Sequence, residues 1–215
     1  MVNMKSSTLY YIHDPMCSWC WGFNKTWNSL VESLPNEIKV RYVLGGLAPD
    51  SSEPMDARTR EYIQRQWCKI QQQIDGVEFN FDFWEVCQPK RSTYIACRAV
   101  IAAKNQDPKY ELPMIHAIQI AYYQRAQSPS EKTTLINLAR ELSLDIDSFT
   151  QALNANSTQA QLDDDIALAQ DLGVSSFPSL VLLGDGVPTN IGIDYNHAQP
   201  MLEQILTWTV VRTHW

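Results

Sequence analysis

The stretch of sequence that decides the fold is residues 9–20, LYYIHDPMCSWC. Residues 8–13 are mainly β-branched or aromatic, which predicts a buried strand, and the strand ends before Pro15 because proline has no N–H to donate to a neighbouring strand. Over residues 18–34 apolar side chains recur at helical spacing. The sequence therefore predicts a strand, a tight turn and a helix, with Cys17 at the start of the helix.

The two cysteines of this stretch, in Cys17-Ser18-Trp19-Cys20, form a dithiol. Unpaired backbone N–H groups at the start of a helix stabilise a thiolate, and the thiolate is the form that attacks a disulfide sulfur. Cys17 is nearer the helix terminus and is the expected nucleophile, whereas Cys20, one turn further in, is expected to resolve the mixed disulfide. The spacing alone is moderately specific, but between a strand and a helix it is typical of a redox-active centre.

A metal site is the alternative interpretation of the cysteine pair, because half of a zinc site has the same spacing. Tetrahedral zinc needs four ligands, and Cys68, Cys87 and Cys97 form neither a second close pair nor a cluster with histidine. We therefore expect no metal. The same three cysteines lie in apolar or helical contexts, so we expect each to be a small buried side chain.

The other half of the predicted sheet begins near the tetrapeptide SFPS at residues 176–179. The apolar run 180–183 predicts a strand directly after it, and the glycines of residues 184–186 predict a hairpin turn toward a last strand at 187–193. Residues 197–211 carry apolar side chains at helical intervals, which predicts a closing helix.

The segment between these two halves has helical periodicity almost throughout. Residues 38–44 alternate as in a second strand, and a loop rich in glycine and proline follows them. The predicted helices lie at 58–74, 92–104, 112–125, 130–142, 147–154 and 158–172. We therefore expect a β-rich unit made of residues 1–54 and 174–215, and an inserted helical domain at residues 55–173.

This order of motifs resembles the DsbA-like branch of the thioredoxin superfamily, over essentially the whole chain from Leu9 to about Val211. Residues 14–23, DPMCSWCWGF, resemble the signature of leaderless bacterial members described as predicted protein-disulfide isomerases and related to FrnE-type oxidoreductases. The resemblance implies an α/β protein with a thioredoxin fold and an all-helical insertion between the second core strand and the cis-proline strand.

The resemblance also implies roles for residues around Pro178. It implies a cis Phe177–Pro178 peptide bond facing the cysteines, pairing of the Phe177 main chain with substrate, and exclusion of metal from the thiols by Pro178. Ser18-Trp19 stands where periplasmic DsbA has Pro-His, and the loss of a cationic histidine predicts a milder potential, roughly −270 to −120 mV. We expect Ser18 and an exposed Trp19 to contact substrate together with Phe177 and Pro178.

Two titratable side chains directly precede the cysteines. His13 and Asp14 are candidates for moving the proton of Cys20, because a carboxylate or an imidazole close to a thiol changes the ease with which it ionises. The alternative is that Asp14 only ends a strand before proline.

Composition excludes several classes of partner. The 215 residues carry a net charge of −7 and their basic side chains are scattered, so nothing predicts nucleic-acid binding. Residues 1–8 are too short for the apolar core of a secretory leader, and no stretch approaches the roughly 18 apolar residues of a membrane span. We therefore expect a cytoplasmic protein, where a close cysteine pair more often serves catalysis than structure.

Three functions remain open on the sequence. The first is reduction, formation or isomerisation of disulfides in protein or low-molecular-weight thiol substrates, without a bound cofactor. The second is a glutathione-dependent isomerase or transferase of the same fold branch, whose members use a serine or a single thiol-activating residue. The third is a non-catalytic cytosolic adaptor that delivers a client to a protease. Retention of Cys17 and Cys20 favours the first, and a monomer and a dimer are both compatible with it.

Overall fold

The sheet has the strand that leads into the cysteines at its centre. A computed structural model describes residues 7–184 and 186–211 of the chain. Within these ranges the strands are β1 Ser7–His13, β2 Ile38–Leu44, β3 Ser179–Gly184 and β4 Val187–Ile191, and they form one sheet in the order β2-β1-β3-β4. β1 is parallel to β2 and antiparallel to β3, so its main chain is hydrogen bonded on both sides.

Helices cover both faces of the sheet and fill the long segment between β2 and β3. In the described part of the chain they are α1 Ser18–Ser33, α2 Ala57–Gln73, α3 Phe83–Val86, α4 Tyr94–Gln106, α5 Glu111–Tyr123, α6 Lys132–Glu141, α7 Ile146–Leu153, α8 Asn156–Asp171 and α9 Gln199–Val211, with a 3-10 turn at Pro108–Tyr110. The predicted fold class is confirmed: a thioredoxin fold with an all-helical insertion between the second strand and the strand after Pro178. The division of the chain at residues 54/55 and 173/174 stays a prediction.

Each face of β1 belongs to a different core, because successive side chains of a strand point to opposite faces of the sheet. Leu9 and Tyr11 are buried in a cluster with residues of α1 and α9. Ile12 is buried on the other face, against residues of α8. The helix that carries the dithiol is thus seated directly on β1.

The inserted helices pack around Trp67 of α2, which is fully buried. Its indole ring lies 4.8 Å from the ring of Phe79 and 4.9 Å from the ring of Trp84, and it meets the ring of Tyr123 at 5.6 Å. Truncation of a buried aromatic residue of this kind costs about 3–5 kcal/mol. Tyr123 also stacks on Trp21 of α1, with ring centres 5.5 Å apart. The helical block therefore holds α1 from the side opposite the sheet.

Most helices and strands begin or end one or two residues from the predicted position. β4 ends at Ile191 rather than 193, because the N–H of Gly192 donates to the side chain of Gln204 instead of a neighbouring strand. α7 begins one residue before the predicted start, where the carboxylate of Asp145 accepts the N–H of Ser148. α3 was not predicted. The predicted turn at residues 184–186 includes residue 185, which lies outside the described residues.

Candidate active site

Cys17 is the N-cap of α1, the residue directly before the helix begins at Ser18. It has extended backbone angles, φ −81° and ψ 116°, and its N–H donates to the carbonyl of Asp14 at 3.0 Å, which closes the turn between β1 and α1. Its sulfur accepts a hydrogen bond from the backbone N–H of Cys20 at 3.4 Å. The thiol thus lies among the unpaired donors of the first helical turn, an arrangement that stabilises a thiolate.

The two sulfurs differ in access to solvent. All five cysteines are free thiols, and Cys17 is 6% exposed whereas Cys20 is fully buried. Burial raises the pKa of the Cys20 thiol well above its ordinary value, and the adjacent Cys17 sulfur raises it further. Of the two sulfurs, Cys17 is therefore the one that solvent can reach, and Cys20 is held as the protonated thiol.

Phe177 and Pro178 lie across the site from the dithiol. The peptide bond between them is cis, as the sequence resemblance predicted. The Cys17 thiol donates to the carbonyl oxygen of Phe177, with sulfur and oxygen 3.6 Å apart. The fold therefore brings together two segments that are 160 residues apart in the chain, the start of α1 and the turn before β3.

Asp14 is a fully buried carboxylate. One oxygen accepts the N–H of Met16 at 2.8 Å, and the other accepts the N–H of Leu47 at 2.7 Å and the hydroxyl of Thr93 at 2.7 Å. The Cys97 thiol approaches the second oxygen at 3.5 Å. Burial raises the pKa of Asp14 and these hydrogen bonds oppose the rise. Asp14 thus does more than end a strand, since it joins the cysteine turn to the loop after β2 and to the start of α4.

His13 is buried as a neutral side chain. Burial lowers its pKa to about 3, so the imidazole carries no charge near neutral pH. Its ring stacks on Tyr11 with centres 5.0 Å apart, and within the described residues its Nε2 has no hydrogen-bond partner. Both side chains border a small cavity of about 180 Å³ between β1, α1 and α5.

A cleft of about 160 Å³ opens beside Cys17. Ser18, Trp19 and Phe177 line it, so three of the predicted substrate contacts border the same space as Cys17, whereas Pro178, the next residue after Phe177, is buried and does not line this cleft. Trp19 is only partly exposed, less than the sequence predicted, because its Nε1 donates to the side chain of Gln66 at 3.1 Å.

The remaining cysteines do not share one environment. Cys97 is buried as predicted and Cys87 is half-buried, but Cys68 is exposed, so the prediction for Cys68 was wrong. The reason is helical phase: Ile63, Trp67 and Ile70 occupy the inward face of α2, and residue 68 falls outside it. Among the described residues, no group of three or more His, Cys, Asp and Glu side chains is placed to hold a metal ion.

Two residues at the site were not singled out by the sequence. The sequence predicts only a loop at Gly45, yet a Cβ atom there would lie 2.1 Å from the ring of Phe177. Thr93 was placed inside a predicted helix, although its hydroxyl binds Asp14 and its N–H donates to Ala48. The paired glycines at 45–46 were the available signal for close backbone approach, whereas nothing in the local sequence marks Thr93.

A central strand, a dithiol at the start of the following helix and a facing cis-proline define a thioredoxin-fold protein, and the helical block adds the DsbA-like insertion. The chain belongs to the thioredoxin family, whose model matches residues 10–201.

Solved structures of similar proteins agree with this assignment. A candidate protein disulfide isomerase from Nitrosomonas europaea is 25% identical and superposes with a TM-score of 0.83, covering 98% of this chain and all of that one. The cytosolic disulfide reductase DsbM from Pseudomonas aeruginosa is also 25% identical, with a TM-score of 0.71 over 95% of this chain and 96% of that one.

Similar sequences carry a different description. The ClpXP adapter protein SpxH of Halalkalibacterium halodurans is 24% identical over 85% of this chain, and that of Bacillus subtilis is 25% identical over 82%. The matches cover 60% and 58% of those relatives, so this chain spans about three fifths of their length. No helix in the part of the chain that the structure describes is long and apolar enough to cross a membrane.

Proposed function

We propose that the chain is a thiol-disulfide oxidoreductase in which Cys17 attacks and Cys20 resolves. One observation carries the proposal: the Cys17 sulfur lies at the first turn of α1, accepts the N–H of Cys20, and faces the carbonyl of Phe177 before a cis-proline. A sulfur in this position meets the two needs of exchange, stabilisation of the thiolate and an open approach for a second sulfur.

The exchange proceeds in two balanced steps. The Cys17 thiolate attacks one sulfur of a substrate disulfide, a Cys17–substrate bond forms, and the other substrate sulfur leaves as a thiolate. Cys20 then loses its proton, attacks the Cys17 sulfur and releases the second substrate thiolate, which closes the Cys17–Cys20 disulfide. Two electrons pass to the substrate, and the two protein thiol protons end on the two released thiols. Oxidation of a substrate dithiol is the same sequence in reverse.

The neighbouring residues have proposed parts in these steps. Ser18, Trp19, Phe177 and Pro178 contact the substrate, with the Phe177 main chain aligning it against Cys17. Asp14 assists release of the Cys20 proton, whereas His13, with a pKa of about 3, is too weak a base to hold that proton near neutral pH and contributes only as an uncharged side chain.

Substrates are disulfides of proteins or of low-molecular-weight thiols, glutathione among them. The reductase description of the P. aeruginosa relative supports the reducing direction and a cytoplasmic setting. The second candidate function, a protease adaptor without turnover, is favoured by the description of the SpxH relatives. An adaptor needs its binding surface but not a nucleophilic sulfur.

Mass mapping of the oxidised protein tests the proposal. Reduced protein exposed to a mild oxidant is expected to gain one disulfide, between Cys17 and Cys20, and to keep three thiols that react with an alkylating agent after unfolding. A bond between any other pair contradicts the proposal. Cys17→Ser separates the two candidates, because an oxidoreductase loses all turnover with this change whereas an adaptor keeps its client binding.

A further inference from the structure

The cleft beside Cys17 differs in charge from the rest of the molecule. The chain has 24 acidic and 17 basic residues, yet among the described residues that line this cleft there are two basic side chains, Lys90 and Arg91, and no acidic one. Lys69 adds a further cation, with its ammonium group 5.7 Å from the ring centre of Trp19. A negatively charged substrate would thus meet a favourable field at the reactive sulfur.

Of the two basic side chains that line the cleft, Arg91 is the one whose charge is not offset by a carboxylate in the described part of the chain. The Lys90 ammonium lies 2.8 Å from the carboxylate of Glu131, which offsets it. Arg91 is exposed and has no hydrogen-bond or ion-pair partner among residues 7–184 and 186–211. Its positive charge acts to lower the pKa of the Tyr122 hydroxyl, which lines the same cleft, against the larger rise that burial causes. A guanidinium without a partner retains its full set of donors for a ligand.

The main chain on both sides of Arg91 is fixed. The carbonyl of Pro89 accepts the N–H of Met55 at 2.7 Å, and the carbonyl of Ser92 accepts the hydroxyl of Ser130 at 2.7 Å. Thr93 is held by Asp14, the residue that also closes the cysteine turn. The base of the Arg91 side chain is therefore positioned relative to Cys17 before any substrate arrives, which reduces the entropy lost on binding.

We propose that Arg91 is a specificity-determining residue that selects small disulfides carrying a carboxylate close to the sulfur. The guanidinium pairs with the carboxylate through two parallel N–H···O bonds, and the substrate sulfur then lies at Cys17. The apolar wall formed by Met55, Tyr62 and Ile63 receives the remaining carbon atoms. The inference rests on the proposed function, since it concerns the choice of substrate at the same dithiol.

Three disulfides of similar size and different charge test it: 3,3′-dithiodipropionate, 2-hydroxyethyl disulfide and cystamine. Each disulfide is mixed with the fully reduced protein, and the rate at which the Cys17–Cys20 dithiol is oxidised in a single turnover is measured. The wild-type protein is expected to react faster with the anionic than with the cationic disulfide, and Arg91→Gln is expected to reduce that ratio about three- to tenfold. Added salt should narrow the ratio as well, because the cleft is open to solvent.

One matched control variant makes the outcome decisive. Arg140→Gln removes an exposed arginine that donates to Asn137 and does not line the cleft, so its ratio should equal that of the wild type. Two outcomes overturn this inference alone, provided that the protein reacts with 2-hydroxyethyl disulfide. In the first, the anionic and the cationic disulfide react with the wild type at equal rates. In the second, Arg91→Gln leaves the ratio of these two rates unchanged. Failure to react with all three disulfides overturns the proposed function and the inference together.

Discussion

The ring of Phe177 fills the space in which a side chain on Gly45 would lie. A Cβ atom at residue 45 would stand 2.1 Å from Cε1 of Phe177, closer than any contact that real structures allow. The carbonyl of the same Phe177 accepts the thiol of Cys17. The glycine after β2 therefore sets how closely the cis-proline turn approaches Cys17.

Gly45→Ala is accordingly expected to displace the Phe177 ring and lower the free energy of unfolding by about 1–3 kcal/mol, the usual cost of overpacking. It should also slow the reaction of Cys17 with a disulfide. Gly192→Ala is the control, since a Cβ there would meet only the Gln204 side chain at an ordinary 3.5 Å. Urea unfolding and single-turnover kinetics check both effects, and equal behaviour of the two variants would contradict the assigned role of Gly45.

Cys20→Ser is expected to trap substrate. Without the resolving sulfur, the mixed disulfide on Cys17 has no intramolecular attacker, so it accumulates and multiple turnover stops. Intact-mass analysis should find one substrate thiol attached per chain and peptide mapping should locate it on Cys17. Cys68→Ser, which changes an exposed thiol on α2, should leave turnover at the wild-type level. Substrate attached to Cys68 in the Cys20→Ser protein would count against the proposed order of attack.

The burial of Asp14 predicts a dependence of stability on pH. Its pKa is raised in the folded state, whereas the carboxyl of the unfolded chain ionises at about pH 4. At a pH between these two values the folded protein binds more protons than the unfolded chain. The free energy of unfolding of the wild type, relative to Asp14→Asn, should therefore fall as pH rises through this interval and then level off. Urea titrations of both proteins from pH 4 upward measure the difference. A difference that grows with pH would show that the hydrogen bonds from Leu47, Thr93 and Met16 outweigh burial.

The burial of His13 predicts that the free energy of unfolding depends on pH with the opposite sign. Its pKa of about 3 lies below the ordinary value near 6.5, so the unfolded chain binds the extra proton across that interval and acid destabilises the fold. Relative to His13→Phe, which keeps the stacking on Tyr11, the wild type should lose about 1.4 kcal/mol per pH unit as pH falls from about 6.5 toward 3. Thermal unfolding of the two proteins over this range tests it, and parallel curves would rule out a buried neutral imidazole.

Much of the active centre follows from local sequence. The strand, turn and helix around residues 9–20 depend on short-range periodicity and on Pro15, so their order and the position of Cys17 could be predicted. The strand after Pro178 could be predicted in the same way, because it depends on the apolar run 180–183. The helical insertion followed from periodicity as well, whereas the resemblance to a known family supplied the cis bond, which no local pattern specifies.

What could not be predicted depends on contacts between distant segments. Asp14 and Thr93 are 79 residues apart, and no local pattern indicates that a threonine will bind a particular carboxylate. The lack of an ion-pair partner for Arg91 within the described residues could not be predicted either, because it depends on Glu131 pairing with Lys90 instead. The exposure of Cys68 does not follow from its apolar neighbours, because it depends on the phase of α2, which the buried Ile63 and Trp67 define.

The contacts of Asp14 bear on any attempt to shorten the protein. Replacement of the inserted helices by a linker would remove Thr93 and Cys97 from one side of a carboxylate that has no access to water. The carboxylate would keep the N–H groups of Met16 and Leu47 but lose the Thr93 hydroxyl, so the turn that carries Cys17 would lose part of its support even though every strand of the sheet remained. The turn and the helical block therefore have to be redesigned as one unit.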